Sequence, residues 1–573
     1  MSKTLLGPSR RVVAFALAGC AATATARAQF PITRVSLDSS GNEGNGPSGM
    51  YGQPGAVSSD GRHVAFTSDA WNLVPADSNT CVDVFVRDTV AGTTVRVSVD
   101  SSGTEADADC LYPTISSDGR FVTFTSRASN LVANDGNKFE DVFRHDRDPD
   151  GNGVFDEGNG VTVRVSVDSS GAEANGISSS SATSADGNLV VFGSWASNLV
   201  ANDANGTGDI FLHDCTSGVT SQITVGADRH SYWPSISADG NVVAFTSYAS
   251  NLVSGDTNGT YDVFAYDRAA ATMTRVSVNS SGKQAYGTGP SPVSDDGSVV
   301  AFMSGAKNLV GGDTNDHTDV FVRDLVSGKT TRESVDTGGV QLDDDSDTPS
   351  LSADGNLVTF MRHRMKLGSE GWYPADYRPY VRDRAADQTL ALNVNCGGQP
   401  AAGDGMYPTL SADGRFVAFM STADDLVAGD TNATLDVFVY DRTIVEPDAA
   451  WSNYGTGFGG TFGVPTLSMS ADPVLGTTRK LDVGNSAGTF TIGFLFVGAD
   501  SASLGTSRGG TLLVDWTLID PIALWPGGLS LGAALPLDPA WCGISAYLQV
   551  VELDAGAQYG LSFTPGLQAT FGK

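Results

Sequence analysis

The sequence predicts an all-β chain: a seven-bladed β-propeller whose N-terminal strand closes the last blade, followed by a small C-terminal β-sandwich. Three observations carry this. A Ser-x-Asp-Gly tetrapeptide recurs with its Asp at 60, 118, 186, 239, 296, 354 and 413, at intervals of 53 to 68 residues, the period of a repeat architecture. Around each copy, short runs alternate apolar and polar residues, as in Val243-x-Phe245 and Val263-x-Ala265, which marks strands with one buried face. Phe66, Phe124, Phe192, Phe245, Phe302, Phe360 and Phe419 recur in register, and no helical period is sustained. Four-stranded units at a fixed period make propeller blades.

From the N-terminus, Lys3, Arg10 and Arg11 precede the apolar stretch "VVAFALAG", too short to span a bilayer and suited to a signal-peptide core. Residues 1–28 are therefore expected to be an export signal. Cleavage after Ala28, behind "ARA", is favoured over lipidation of Cys20 in "LAGC" because the first strand begins almost at once, at Ile32. No later run is long and apolar enough to cross a membrane. The propeller is assigned to residues 29–445. A lone "RVS" strand at Arg34–Ser36 stands before the first anchor, whereas the last copy ends after "DVFVYDRT". The first strand can thus complete the final blade and remove its free edge. Residues 446–465, "WSNYGTGFGGTFGVP" among them, read as a Gly- and aromatic-rich linker. Residues 466–573 carry runs such as "GTFTIGFLFVG" and "GISAYLQVVELD" that suggest the sandwich.

Composition limits the partners. With 34 basic and 65 acidic residues the formal charge is -31, so nucleic acid is excluded as a partner on electrostatic grounds. The cysteines left after residue 28 are widely spaced and show no zinc pattern. An oxidising compartment permits disulfides, and Cys81–Cys110 is the expected pair, because both fall on the same face of the ring.

The repeat "PSISADGNVVAFTS" followed by "DVFAYDRAAATMTRVSV" resembles the TolB-like propeller repeat, a relative of WD-type blades found in exported bacterial proteins. The resemblance covers about residues 30 to 445 and implies the fold together with secretion or a periplasmic or cell-surface location. TolB's additional N-terminal α/β domain has no room here, so its envelope partnership is not implied. The C-terminal segment resembles modules of planctomycete-type secreted proteins. The family hosts unrelated roles, so function must be argued from sites.

Three sites stand out. Six blades share Asp-x-Asn-x-x-x-Asp, represented by Asp256, Asn258 and Asp262. Calcium takes such hard oxygens. The same side chains also tie down turns without an ion, and the structural reading is favoured. The second blade carries the insert "DRDPDGNGVFDEGNG". Its Asp146, Asp148, Asp150, Asn152, Asp156 and Glu157 fit two registers of a calcium loop; the competing reading is a solvated acidic hairpin. The sixth blade replaces its acidic loop with "MRHRMKLGSEGWYPADYRPYVRDR". Here Arg362, Arg364 and Lys366, with Trp372, Tyr373 and Tyr377, form a candidate surface for a carboxylate-bearing glycan or acidic protein; the alternative is a solvated rim loop. "GNSAG" around Ser486 matches G-x-S-x-G, but a strand follows it and no His lies downstream, so the hydrolase elbow is rejected. The expectation is a noncatalytic exported scaffold binding a protein or polysaccharide, with a glycan- or lactone-cleaving propeller as the alternative.

Overall fold

The computed structural model describes residues 31–49, 55–368, 371–444 and 448–573. Among these residues there is no α-helix, only strands and one 3-10 turn at Pro539–Trp541. The chain is a β-propeller followed by a second all-β unit. The expected signal segment, residues 1–28, lies outside the described residues.

Seven antiparallel sheets follow one another along the chain. In the fourth, the strands Ser231–Ile236, Val242–Ser247, Asp262–Asp267 and Thr272–Arg275 pair in order. Ser-x-Asp-Gly forms the turn leading into the strand that carries the recurrent Phe: Ser237 Oγ donates to Asp239 at 2.6 Å, and the amides of Asn241 and Val242 are held by Asp239 and Ser237. Gly240 sits at φ 72°, a backbone that favours glycine. The sequence period is therefore the period of a side-chain-locked turn.

The recurrent phenylalanines explain why sheet follows sheet. Phe245 stacks on Phe264 within its own sheet, with ring centroids 5.9 Å apart, and both enter a core shared with the third sheet through Val191, Ile210 and Leu212. Equivalent cores join every neighbouring pair, and Val64, Phe66, Ala418 and Val437 join the first sheet to the seventh. The ring is thus closed by packing. It is also closed by hydrogen bonding, because Ile32–Arg34 pairs antiparallel with Asp436–Asp441. A single fully buried Phe stabilises by roughly 1.5–3 kcal/mol, so such a pair in six sheets, with Phe360 on Tyr380 in the sixth, makes each interface a substantial contributor.

The second unit has one six-stranded and one three-stranded sheet around a common core of Leu481, Leu495, Val497, Leu524, Ile544 and Val550. The stretch read as a linker is partly structural: Ala450–Tyr454 pairs with Gly566–Thr570 as a strand of the larger sheet. Cys396, in the loop between the sixth and seventh sheets, is disulfide-bonded to Cys542 and is buried in the second unit's core. Cys81 and Cys110, the pair expected from sequence, are free thiols. Cys396 instead finds its partner in the second unit, whose docking against the ring no local spacing of cysteines encodes. None of the helices required for a helical membrane crossing occurs among the described residues.

Candidate functional site

Five of the six acidic loops are clasps closed by arginine. In the first sheet, Arg96 Nη1 lies 3.1 Å from both Asp77 and Asp83 and 2.9 Å from Glu105. Asp83 is fully buried and accepts further bonds from Ser98 Oγ at 2.5 Å and Asn79 Nδ2 at 3.0 Å. Arg34, Arg164, Arg275 and Arg332 repeat the arrangement. In the representative loop, Arg275 stands 3.4 Å from Asp256 and 3.8 Å from Asp262, Ser277 donates to Asp262, and Asn258 donates to its other oxygen. The guanidinium stands where a cation would, so calcium does not fit these five loops. The signal was in the sequence as Arg-x-Ser, in "RVS" and "RES", which reads locally as nothing more than a strand. Burial pushes Asp262 up to about 6, against the hydrogen bonds of Ser277 and Asn258.

In the second-sheet insert the carboxylates divide between guanidinium and amide partners. Asp146 is paired with Arg120 at 2.7 and 2.8 Å. Asp156 is paired with Arg147 at 2.5 and 3.0 Å, and Arg147 is itself buried, donating to Gly119 O. Asp148 accepts the amides of Asn152 and Gly153, while Asn152 bridges Asp150 and Glu157. Arg147 lies over Phe155 at 4.8 Å, and Phe155 meets His63 of the first sheet at 5.2 Å. This is a strap across two sheets. Asp146 and Asp156 are taken by guanidinium groups, and among the described residues no group of three or more His, Cys, Asp or Glu side chains is arranged to hold a metal ion.

The sixth sheet carries the most concentrated chemistry. Its second and third strands, Leu357–Gly368 and Gly371–Asp383, form one long hairpin in place of a clasp. Trp372 and Tyr373 stand opposite Leu367 and Lys366 in its register; their side chains lie outside the described residues. Arg362 and Arg364 do not project as free cations: both bond Asp344, and Arg362 also reaches Tyr380. The acidic run Asp343–Asp347, unremarked in the sequence reading, neutralises much of the basic cluster, leaving exposed Lys366 as its outermost charge.

Beside this network the hairpin meets the ring's axis. His363 Nδ1 is 3.5 Å from Asp347, and its ring is 5.4 Å from that of Tyr377. His317 reaches Asp345 at 3.4 Å. Burial pushes the Asp347 carboxyl up to about 6, against the pull of His363. Burial, then Asp347 and Tyr112, push the Tyr407 hydroxyl up, and burial with Tyr407 and Asp347 does the same for Tyr377. Residues near the axis from five sheets, Pro113, Pro290, Thr348, Pro349, Tyr407 and Pro408 among them, line an open axial cavity of about 190 Å³.

The backbone around this axis is unusual. Tyr112, Ser180, Trp233, Thr348 and Tyr407 occupy one repeat position with φ between 47° and 56°, each at a register shift of its innermost strand. Non-glycine residues seldom adopt this conformation, and such strain clusters at ligand sites. Bulges of this kind re-aim side chains.

Ser486, the centre of the rejected hydrolase motif, is buried and donates to Glu552 at 2.7 Å, beside Ser562 at 2.8 Å. It is a polar staple inside the second unit.

No family model matches the chain, and no curated protein matches it. Among solved structures, similarity is found to an oligogalacturonate lyase from Vibrio parahaemolyticus, at 13% identity over 72% of this chain and 93% of that one, with a TM-score of 0.43. A putative TolB from Agrobacterium tumefaciens gives 17% identity over 61% and 94%, with a TM-score of 0.34. The Dos1 propeller gives 11% identity over 73% and 96%, with a TM-score of 0.38.

Proposed function

We propose that this chain is an exported, noncatalytic, seven-bladed scaffold that binds a protein or glycan partner at the axial mouth beside the sixth sheet. The observation that carries the reading is the convergence of Asp347, His363, Tyr377 and Tyr407 next to the axial cavity, beneath a hairpin longer than that of any other described sheet of the ring. Carboxylate, imidazole and phenol groups around a strained rim offer directed hydrogen bonds, and the tyrosine rings offer stacking area. Export is supported by the signal-like N-terminus and by the Cys396–Cys542 disulfide, a bond that persists in oxidising compartments.

A second reading rests on the same pair. A carboxyl held near 6 beside an imidazole is poised for general acid–base work near neutral pH, which suits a glycan- or lactone-cleaving enzyme. Parallel screens separate the two: binding to cell-envelope fractions and glycans, and turnover of polysaccharides and lactones. The scaffold reading expects retention without turnover, weakened at least tenfold by Asp347→Asn or Tyr407→Ala. Turnover abolished by Asp347→Asn would establish the enzyme instead, and retention unchanged in both variants would remove the axial mouth as the site.

A further inference from the structure

We infer that a second site, a neutral-glycan platform, lies on the third and fourth sheets. An unbroken row of rings runs there: Trp195 lies 4.4 Å from His230, His230 5.9 Å from Tyr232, Tyr232 5.7 Å from Trp233 and 6.4 Å from Tyr261, and Tyr261 5.0 Å from Tyr248. The two indoles are 51% and 42% exposed, far beyond what core packing would leave.

The row is built by specific devices. Trp195 and Tyr248 hold the same repeat position, one residue after Ser194 and Ser247. In the third sheet, glycine replaces the bulky residue that would oppose the indole: a Cβ at Gly208 would come within 3.2 Å of Trp195. The Gly208 amide donates to His230 Nδ1 at 2.8 Å, fixing the imidazole beneath the indole and leaving Nε2 as the donor in the neutral ring. Trp233 is held at φ 51° in front of Pro234, so an unfavourable backbone presents a large exposed side chain.

The chemistry favours a sugar over a peptide. The two exposed indoles offer apolar surface for the C–H face of a pyranose, and the row carries polar groups for its hydroxyls: three phenols, two indole N–H groups and one imidazole. A peptide groove would instead be walled by aliphatic side chains, which are absent from this row. An anionic glycan is disfavoured by the formal charge of -31 and by the row's single guanidinium, Arg229, already placed over Tyr248 at 4.9 Å.

This inference rests on the scaffold reading only in assigning the loop-bearing face to binding. The test is affinity electrophoresis of the full chain through gels containing xylan, β-1,3-glucan, glycol chitin or dextran, with polygalacturonate as the anionic control. At least one neutral polymer is expected to retard the protein. Trp195→Ala and Trp233→Ala should each weaken retention at least tenfold, with Trp195→Phe restoring most of it and circular dichroism unchanged. Retention by no neutral polymer, or retention surviving the double Trp→Ala variant, would overturn the platform. Peptide-library capture lost in that same variant would overturn its glycan assignment. Loss of neutral binding with envelope-fraction binding intact in wild type would leave the axial-mouth proposal standing, so the two fail separately.

Discussion

Arg96 and its equivalents show how one residue decides between a metal loop and a fastener. A buried carboxylate with no partner is costly, and Asp83 has no exposure at all. Removing the guanidinium therefore strands Asp77 and Asp83 together. Breaking a buried ion pair from one side costs roughly 3–5 kcal/mol, and Arg96→Met is expected to lose about that much in urea denaturation. The triple variant with Asp77→Asn and Asp83→Asn should recover most of the loss, since the stranded charge goes with it. Calcium added to wild type should leave the melting temperature within error of that in chelator, and a rise of several degrees would return the loops to the metal reading. The third sheet makes the natural comparison: Gln222, uncharged, stands at the arginine position and bonds Asp209, which Thr224 and Asn205 also hold, at 2.6 and 2.8 Å.

At the scale of elements, the strand Ile32–Arg34 carries ring closure, and it does so with few residues. Ile32 and Val35 are buried against the seventh and first sheets, and Arg34 joins Glu43, Asp430 and Asp436 in the last clasp. Burial of the two side chains alone is worth about 3–6 kcal/mol. Deleting residues 31–37 should cost at least that and leave Asp436–Asp441 as an open edge prone to association; light scattering should report aggregates that a synthetic peptide of the deleted residues suppresses. A monodisperse, equally stable deletion variant would mean that closure does not depend on this strand. This element was legible in sequence because strand counting needs only the local period. The sixth-sheet hairpin was legible as a break in the pattern, but its charge state was not: Arg362 and Arg364 meet Asp344 across a strand pairing, eighteen and twenty residues apart, which no local pattern encodes. The axial residues Thr348 and Tyr407 escaped for a similar reason, because a bulge changes where a side chain points without changing the residue type.

Across the whole molecule, two features couple distant parts. The Cys396–Cys542 bond closes a loop of 146 residues, and in the chain-entropy picture a loop near that size is worth about 4–5 kcal/mol. Reduction, or Cys542→Ser, is expected to lower the second unit's unfolding transition and to separate it from that of the ring in calorimetry. A single unchanged transition would show that packing at Trp541 and Phe571 suffices without the bond. The sequence could not choose this pairing, since wide cysteine spacing leaves connectivity open.

The buried carboxylates couple the fold to pH in a direction unusual for an acidic protein. Asp262, Asp347 and Asp430 are each raised to about 6 from an ordinary 3.8, with burial as the main cause. The folded chain therefore holds more protons than the unfolded one between those values, and by linkage its stability falls as pH climbs from about 4 through 6. Asp88 acts oppositely. Burial pushes it upward, but Arg62 and the amides of Ala91 and Val90 outweigh that and hold it at about 2; its contribution is complete above 3.8 and is lost as pH falls through 2. The two sets meet near the ordinary carboxyl value, so the melting temperature should peak near about pH 4, decline to about pH 6 and level off above it. Asp262→Asn removes a group that must ionise inside the fold, and it should flatten the decline while leaving the acid limb unchanged. A melting temperature that rises steadily from pH 4 to 7 would instead mean that Arg275 and its equivalents hold the clasp carboxylates fully ionised, and that the guanidinium outweighs burial throughout the ring.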